Sequence, residues 1–421
     1  MAAGKTKLWW TGAAGMVGAS VLLTLSLVLG APPPPPPPPG GPGGPGGPGG
    51  GPPPVPGLGV PFSGLGSVLD AQFQAGARLF GMPANPPQGL GPVFTENSCL
   101  ACHRDGAPGG SGRRLVTRIG AIVNGQFDPL IEFGGPAIQN RGIGLVHGVN
   151  FVGEVVPPQA TIVAQRRTIP LFGLGLVDGI PAEAIQTLAA QQQIHMPLFA
   201  GQVSVVIDAT TGHPSVGKFG WKAQQPTLMT FVADAMTNEM GVTNPIFSNE
   251  NCPQGNCAQL AANPALSNPN DPHGAALEQF MNFVMYLAPP PRGPSNPNVV
   301  AGQAIFGQIG CANCHTPTWE TGSSQIAPLD NVSFSPYSDF LLHDMGSLGD
   351  GIVQNQAGPH QMRTAPLWGL RFESAWLHDG RADTVGAAIL AHDGQAKLSR
   401  NAYASLTAGQ RNQLLAFLNS L

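Results

Sequence analysis

The stretch Val300-Ala-Gly-Gln-Ala-Ile-Phe-Gly-Gln-Ile-Gly-Cys-Ala-Asn-Cys-His315 decides how the rest of this chain is read. It ends in Cys-x-x-Cys-His, and so does Cys99-Leu-Ala-Cys-His103 near the other end. Two residues between the cysteines put both sulfurs on one helical turn, within reach of the two vinyl groups of a single porphyrin. The histidine that follows offers its imidazole to the iron. With 6 Cys and 10 His in 421 residues, chance supplies roughly 0.002 such motifs, so two of them are a signal. A zinc site would want four Cys/His ligands from paired motifs, and an exported redox dithiol rarely carries the trailing His in both copies. The sequence therefore predicts two covalently attached c-type haems. Cys99, Cys102, Cys311 and Cys314 are the attachment points, and His103 and His315 the proximal iron ligands.

Working outward, Gly302 and Phe306 fall on one helix face, the small-then-aromatic pattern found where the first helix of a cytochrome c crosses its last. Ala75-Gly-Ala-Arg-Leu-Phe80 repeats that signature before the first motif, separated from Cys99 by an insertion through Gly89-Leu-Gly-Pro-Val-Phe94. Leu277–Leu287 reads as an apolar helix closing the first unit, and Leu406–Leu421 as the helix closing the second. Pro289-Pro-Pro-Arg-Gly-Pro294 breaks the chain between them. Some 200 residues separate the motifs, far more than a minimal cytochrome needs. There, Val/Ile/Thr-rich runs at Arg114–Val123 and Pro158–Leu171 suggest short strands, and a helix should start at Pro181. The expected fold is mainly α. It comprises two cytochrome c-like haem domains, residues 62–293, enlarged by insertions, and residues 294–421.

The N-terminus sets the expected compartment. Met1–Gly30 has a small positive start (Lys5, Lys7) and about 20 apolar residues, which reads as a signal peptide or an uncleaved membrane anchor. Residues 31–61 are a Pro/Gly-rich disordered linker, and hold much of a Gly-plus-Pro content (Gly 58, Pro 45) that would otherwise argue for disorder throughout. The body is then periplasmic, tethered to the inner membrane if the segment is retained. With 19 basic against 23 acidic residues there is no basic footprint, so nucleic acid is excluded as a partner. Cys252 and Cys257 bracket a turn without a following His. A short-loop disulfide is the plain reading, and redox use of that pair the sharper one.

These residues resemble a bacterial di-haem oxidoreductase family labelled peroxidase and sometimes thiol oxidoreductase. The segments that carry the resemblance include Phe219-Gly-Trp-Lys-Ala-Gln-Gln-Pro-Thr227, Glu239-Met-Gly-Val-Thr-Asn-Pro245, Tyr337-Ser-Asp-Phe-Leu-Leu-His-Asp-Met-Gly346 and Met362-Arg-Thr-Ala-Pro-Leu-Trp-Gly-Leu370. Leu377-His-Asp-Gly-Arg-Ala382 leading to Ile389-Leu-Ala-His392 is also similar to the C-terminal part of di-haem cytochrome c peroxidases. The resemblance implies His392 as the distal ligand of the second haem, at the end of a short helix with Asp383 available as its cap. Met345 is the rival ligand. For the first haem, His147, Met196, His195 and His213 are candidates, and peroxide chemistry would want a labile site with an acid–base group nearby, for which Glu154 is the candidate. Arg363 and Arg381 are expected to bind propionates or acidic neighbours, Trp221 or Trp319 to relay electrons, and His378 to tune transfer or pack. The implied activity is reduction of a peroxide such as hydrogen peroxide, fed by a small donor cytochrome or another redox protein. A pure electron-transfer protein and a thiol oxidase are the alternatives.

Overall fold

The helix Gly66–Gly81 crosses the helix Ala275–Tyr286, and Gly76 lets them touch: a methyl group there would strike the Gln279 carbonyl oxygen and the Phe283 side chain. One turn later Phe80 stacks on Phe283, centroids 4.5 Å apart, and lies 6.0 Å from the His103 ring. The arrangement recurs at the second motif. Pro297–Gln308 crosses Ala408–Leu418, Gly302 abuts the Gln413 carbonyl and Phe417, and Phe306 sits 5.3 Å from Phe417 and 6.4 Å from His315. The repeated Gly-then-Phe signature thus marks two equivalent helix crossings, each delivering an aromatic ring to a motif histidine. Gly302→Ala is expected to lower stability by about 1–3 kcal/mol through overpacking, read as a fall in Tm, because the obstacle is backbone and cannot swing aside.

This computed structural model describes residues 57–261 and 270–421, which lie within one compact unit, Pro52–Leu421. The leader expected at 1–30 and most of the 31–61 linker fall outside the described residues. The end of that linker, however, is part of the body: Leu58 is buried, Pro61 bridges Leu287, and Ala288 donates to the Val60 carbonyl. Nor does the Pro289–Pro294 break divide the packing. Trp319, Phe334 and Trp368 share one apolar core with Phe73, Phe80 and Leu228, while Phe306, Tyr337, Leu414 and Phe417 form a second. A proline run interrupts a helix but says nothing about which side chains meet across it. Among the described residues no helix is long and apolar enough to cross a membrane.

The insertion supplies the β-structure. Gly112–Val123 pairs antiparallel with Ile162–Thr168, Val116 opposite Arg166 and Leu115 opposite Arg167, flanked by Gln126–Asp128 and Ala137–Ile138. Helix Ala182–His195 follows Pro181 as expected and buries only Ile185 and Gln192. The last helix starts at Ala408 rather than Leu406, because Thr407 and Gln410 close a capping box there. The short helix before His392 is capped by Thr384, whose hydroxyl accepts from the Ala387 N–H, and not by Asp383.

Outside the helix crossings, Glu250 is buried with one oxygen bonded to Asn270 (2.8 Å) and the other unpartnered among the described residues. Burial pushes its carboxyl up to about 7 against the pull of the Asn270 amide. A group raised in the folded state stabilises fully below the unfolded value and loses that contribution as pH climbs through its folded value. Glu250→Gln should therefore match the parent near pH 4.5 and exceed it by up to about 3 kcal/mol near pH 8, as read by denaturant unfolding.

Candidate functional site

Each Cys-x-x-Cys-His motif opens into a large apolar cavity. The second, around Cys311, Cys314 and His315, holds about 1560 Å³ of non-atom space, its open mouth included. His315 follows the tight turn Cys311–Asn313, which Gly310 enters with φ +84°, and its Nδ1 donates to the Tyr337 carbonyl at 3.0 Å. Facing it, His392 terminates the helix Val385–Ala391, its Nδ1 donating to the Ala388 carbonyl at 2.8 Å and its own carbonyl held by Arg400. A carbonyl partner on each Nδ1 fixes the proton there and leaves both Nε2 lone pairs free. Burial keeps the rings neutral, taking His315 down to about 4 and lowering His392 as well.

The ring centroids of His315 and His392 are 6.5 Å apart. Two imidazole–metal bonds of about 2.0–2.1 Å, with about 1.1 Å from each coordinating nitrogen to its ring centre, add to roughly 6.3 Å. The pair is spaced for one iron between them, and the residues fit a haem. Met345 lines the same cavity. The Trp376 indole N–H is buried there without a partner among the described residues, a donor suited to a haem carboxylate. The motif loop is clamped from the side by Gln192, whose amide donates to the Asn313 carbonyl (3.0 Å) and to Asp339 (2.9 Å). Asp339 also bonds His343 at 2.8 Å; burial opposes the charge, but this partner holds His343 up, at about 10, with its Nδ1 3.7 Å from the Cys314 sulfur.

The first cavity, around Cys99, Cys102 and His103, holds about 1160 Å³. His103 Nδ1 donates to the Gly110 carbonyl at 3.1 Å, and burial lowers the ring to about 4. Burial also pushes the Cys99, Cys102 and Cys311 thiols up to about 12, which makes them poor nucleophiles as free thiols. Among the described residues no second histidine lines this cavity. His147, at a hairpin turn, and His195 and His213 are all exposed, and Met196 is not in the wall. Sequence periodicity gives no direction to a lone histidine in a loop, so these candidates had no geometric support.

The helix Leu228–Met240 also lines this cavity, with Met236, Met240 and two carboxylates, Asp234 and Glu239. Burial raises both carboxyls and the Arg118 guanidinium partly opposes it. Asp234 is bonded by Asn238 at 2.8 Å, whereas Glu239 Oε2 is buried with no close hydrogen bond among the described residues and has the Thr95 hydroxyl as its polar neighbour. Arg118 and Arg167 each leave a buried Nε without an acceptor in this wall, as haem propionates would require. Glu154 is elsewhere: its two oxygens accept from the Gln139 and Gln254 backbone N–H groups, both at 2.7 Å, and it does not line the cavity. Glu154, expected as the acid–base group, thus lies outside this wall, with its carboxylate bracing two loops. Glu239 lay inside a segment quoted for its resemblance, and the overlooked signal was two carboxylates on an apolar helix in a chain only 10% charged.

A single partition separates the cavities. Trp221 and Arg167 line both. Trp221 donates to the Arg167 carbonyl at 2.9 Å, and the Arg167 N–H donates to the carbonyl of His378, whose ring meets Trp221 edge-on at 6.3 Å. Beside it Asp350 binds Arg166 at 2.7 Å and the fully buried Lys222 at 2.9 Å. Arg363 also lines the second cavity, bonded to the Gly220 carbonyl. Arg381 instead makes a half-exposed pair with Asp379, and Trp319 is core, bonded to the Ser338 carbonyl.

Residues 150–421 match the model of a family described as "Di-haem oxidoreductase, putative peroxidase". No curated protein matches the chain. Among solved structures, a MauG-like protein associated with microbial copper homeostasis is similar at 14% identity, covering 88% of this chain and 94% of that one, with a TM-score of 0.41. The diheme peroxidase BthA from Burkholderia thailandensis E264 is similar at 15%, covering 83% and 86%, with a TM-score of 0.38.

Proposed function

Because the chain belongs to the di-haem oxidoreductase family, we propose that it reduces a peroxide at the first cavity with electrons relayed from the second. In this reading Cys99, Cys102, Cys311 and Cys314 hold two c-type haems covalently, in two cytochrome c-like halves. His103 is the single protein imidazole for the first iron, and His315 with His392 the pair for the second. When bound, the haems supply iron centres that accept and pass single electrons. The observation that carries the proposal is the asymmetry of the cavities. One has two facing imidazoles at 6.5 Å; the other is lined, among the described residues, by His103 as its only histidine and by the buried carboxylate of Glu239.

The chain's own part in the chemistry is proton handling and orientation. Glu239 Oε2 can take the proton from one peroxide oxygen and return it to the other when its carboxyl is ionised, and burial raises that carboxyl above its ordinary range. Arg118 limits how far that carboxyl stays protonated. Trp221, in both walls, is the aromatic best placed to carry electrons across, and His378 packs against it. The electron donor is a small cytochrome or similar redox protein. Export rests on Met1–Gly30, and cell fractionation of the full chain tests it: activity in the periplasmic or inner-membrane fraction is expected.

The deciding experiment is hydrogen peroxide turnover with a reduced small cytochrome, together with optical and EPR spectra. One high-spin and one low-spin haem with turnover is the expected result. Two low-spin haems in every redox state, without turnover, would leave a pure electron-transfer protein.

A further inference from the structure

Two features of the sequence have no place in either cavity: the Cys252–Cys257 pair and Glu154. The cysteines are joined as a disulfide that closes the turn Pro253–Gly255. At its tip Gln254 has φ +49°, a left-handed conformation that glycine adopts freely and a glutamine adopts at a cost of about 1 kcal/mol or more. Its side chain gives a reason for glutamine there. The Gln254 carbonyl oxygen Oε1 accepts from the Val155 N–H at 2.9 Å, and its amide donates to the Phe133 and Val155 carbonyls at 2.6 and 3.0 Å. Its backbone N–H donates to Glu154 Oε1.

The bonds continue inward. Glu154 Oε2 accepts from the Gln139 N–H, and Gln139, buried, donates its amide to the Asn238 carbonyl at 3.0 Å. On the other side of the disulfide turn, the Asn251 amide donates to the Thr237 carbonyl at 3.3 Å. Thr237 and Asn238 are consecutive and lie just before Glu239, in the last turn of Leu228–Met240, where the Thr237 carbonyl also accepts from the Gly241 N–H. One small loop therefore grips, by two routes, the helix end that carries Glu239, whose own carbonyl accepts from the Thr95 and Glu96 N–H groups.

We propose that the disulfide-closed loop positions Glu239: Gln254, Glu154, Gln139 and Asn251 are positioning residues that hold the end of the Leu228–Met240 helix against the first cavity. The inference rests on the reading of Glu239 as the proton-handling group. A proton donor displaced by about 1 Å loses on the order of 10²-fold in rate, so a brace this close to the carboxylate has a kinetic consequence.

The test uses the full holo-protein. Gln254→Gly suits the backbone at that turn and removes only the side-chain bonds; Cys252→Ser with Cys257→Ser opens the staple. Gln254→Gly is expected to lower kcat for hydrogen peroxide about 10-fold with KM within twofold and the second haem's spectrum unchanged. Hydrogen exchange at the amides of residues 237–241 should quicken in both variants. Unchanged kcat and unchanged exchange in well-folded variants overturn the proposal. If Glu239→Gln itself leaves turnover intact, the functional reading falls; the exchange measurement then decides the brace alone, faster exchange keeping it and unchanged exchange ending it.

Discussion

Glu239→Gln is expected to slow peroxide turnover by about 10²–10⁴-fold while both haems remain attached and the helix Leu228–Met240 stays folded. The amide keeps the shape of the side chain and can neither take nor return a proton. Glu239 suits the role because its Oε2 is buried with no close hydrogen bond among the described residues, whereas Asp234 is held by Asn238. Asp234→Asn should therefore cost less, on the order of 10-fold. The sign with pH also follows. A carboxyl raised by burial must lose its proton before it can act as a base, so turnover should fall on the acid side at a pH above the ordinary carboxylate range. That limb should vanish in Glu239→Gln. Full activity in the variant, measured by cytochrome oxidation at saturating peroxide, would remove Glu239 from the mechanism.

His392→Gly is expected to abolish the low-spin signature of the second haem alone, leaving the first unchanged. The 6.5 Å ring spacing allows one iron between His315 and His392, and glycine leaves a gap that water or an added imidazole can fill. Added imidazole should restore the low-spin spectrum. His392→Met should keep six-coordination and raise the reduction potential by on the order of 0.1 V, since a thioether stabilises the reduced iron more than an imidazole does. A parent-like spectrum in His392→Gly would point to Met345, which lines the same cavity.

Much of this was legible in the sequence for a physical reason. Cys-x-x-Cys-His is a local constraint, set within one helical turn, and Gly302 with Phe306 is likewise a single-turn pattern. The place of His392 at the end of a short helix was readable from the helix pattern and its stop, while its ligand role is what the resemblance implies. Glu239, Arg118 and Arg167 were not, since their meaning lies in what is missing around them: an acceptor for each arginine Nε and a donor for a carboxylate oxygen. Such vacancies come from long-range packing and leave no periodic trace. Glu154 misled for the converse reason. A lone carboxylate in a Gly-rich loop looks the same whether it faces a cavity or two backbone N–H groups. The proline run at 289–294 marked a true break in the chain, yet the core crosses it through Trp319, Phe334 and Trp368.

The partition formed by Trp221 and Arg167 is the wall of both cavities at once, so a substitution at either residue alters the lining of both.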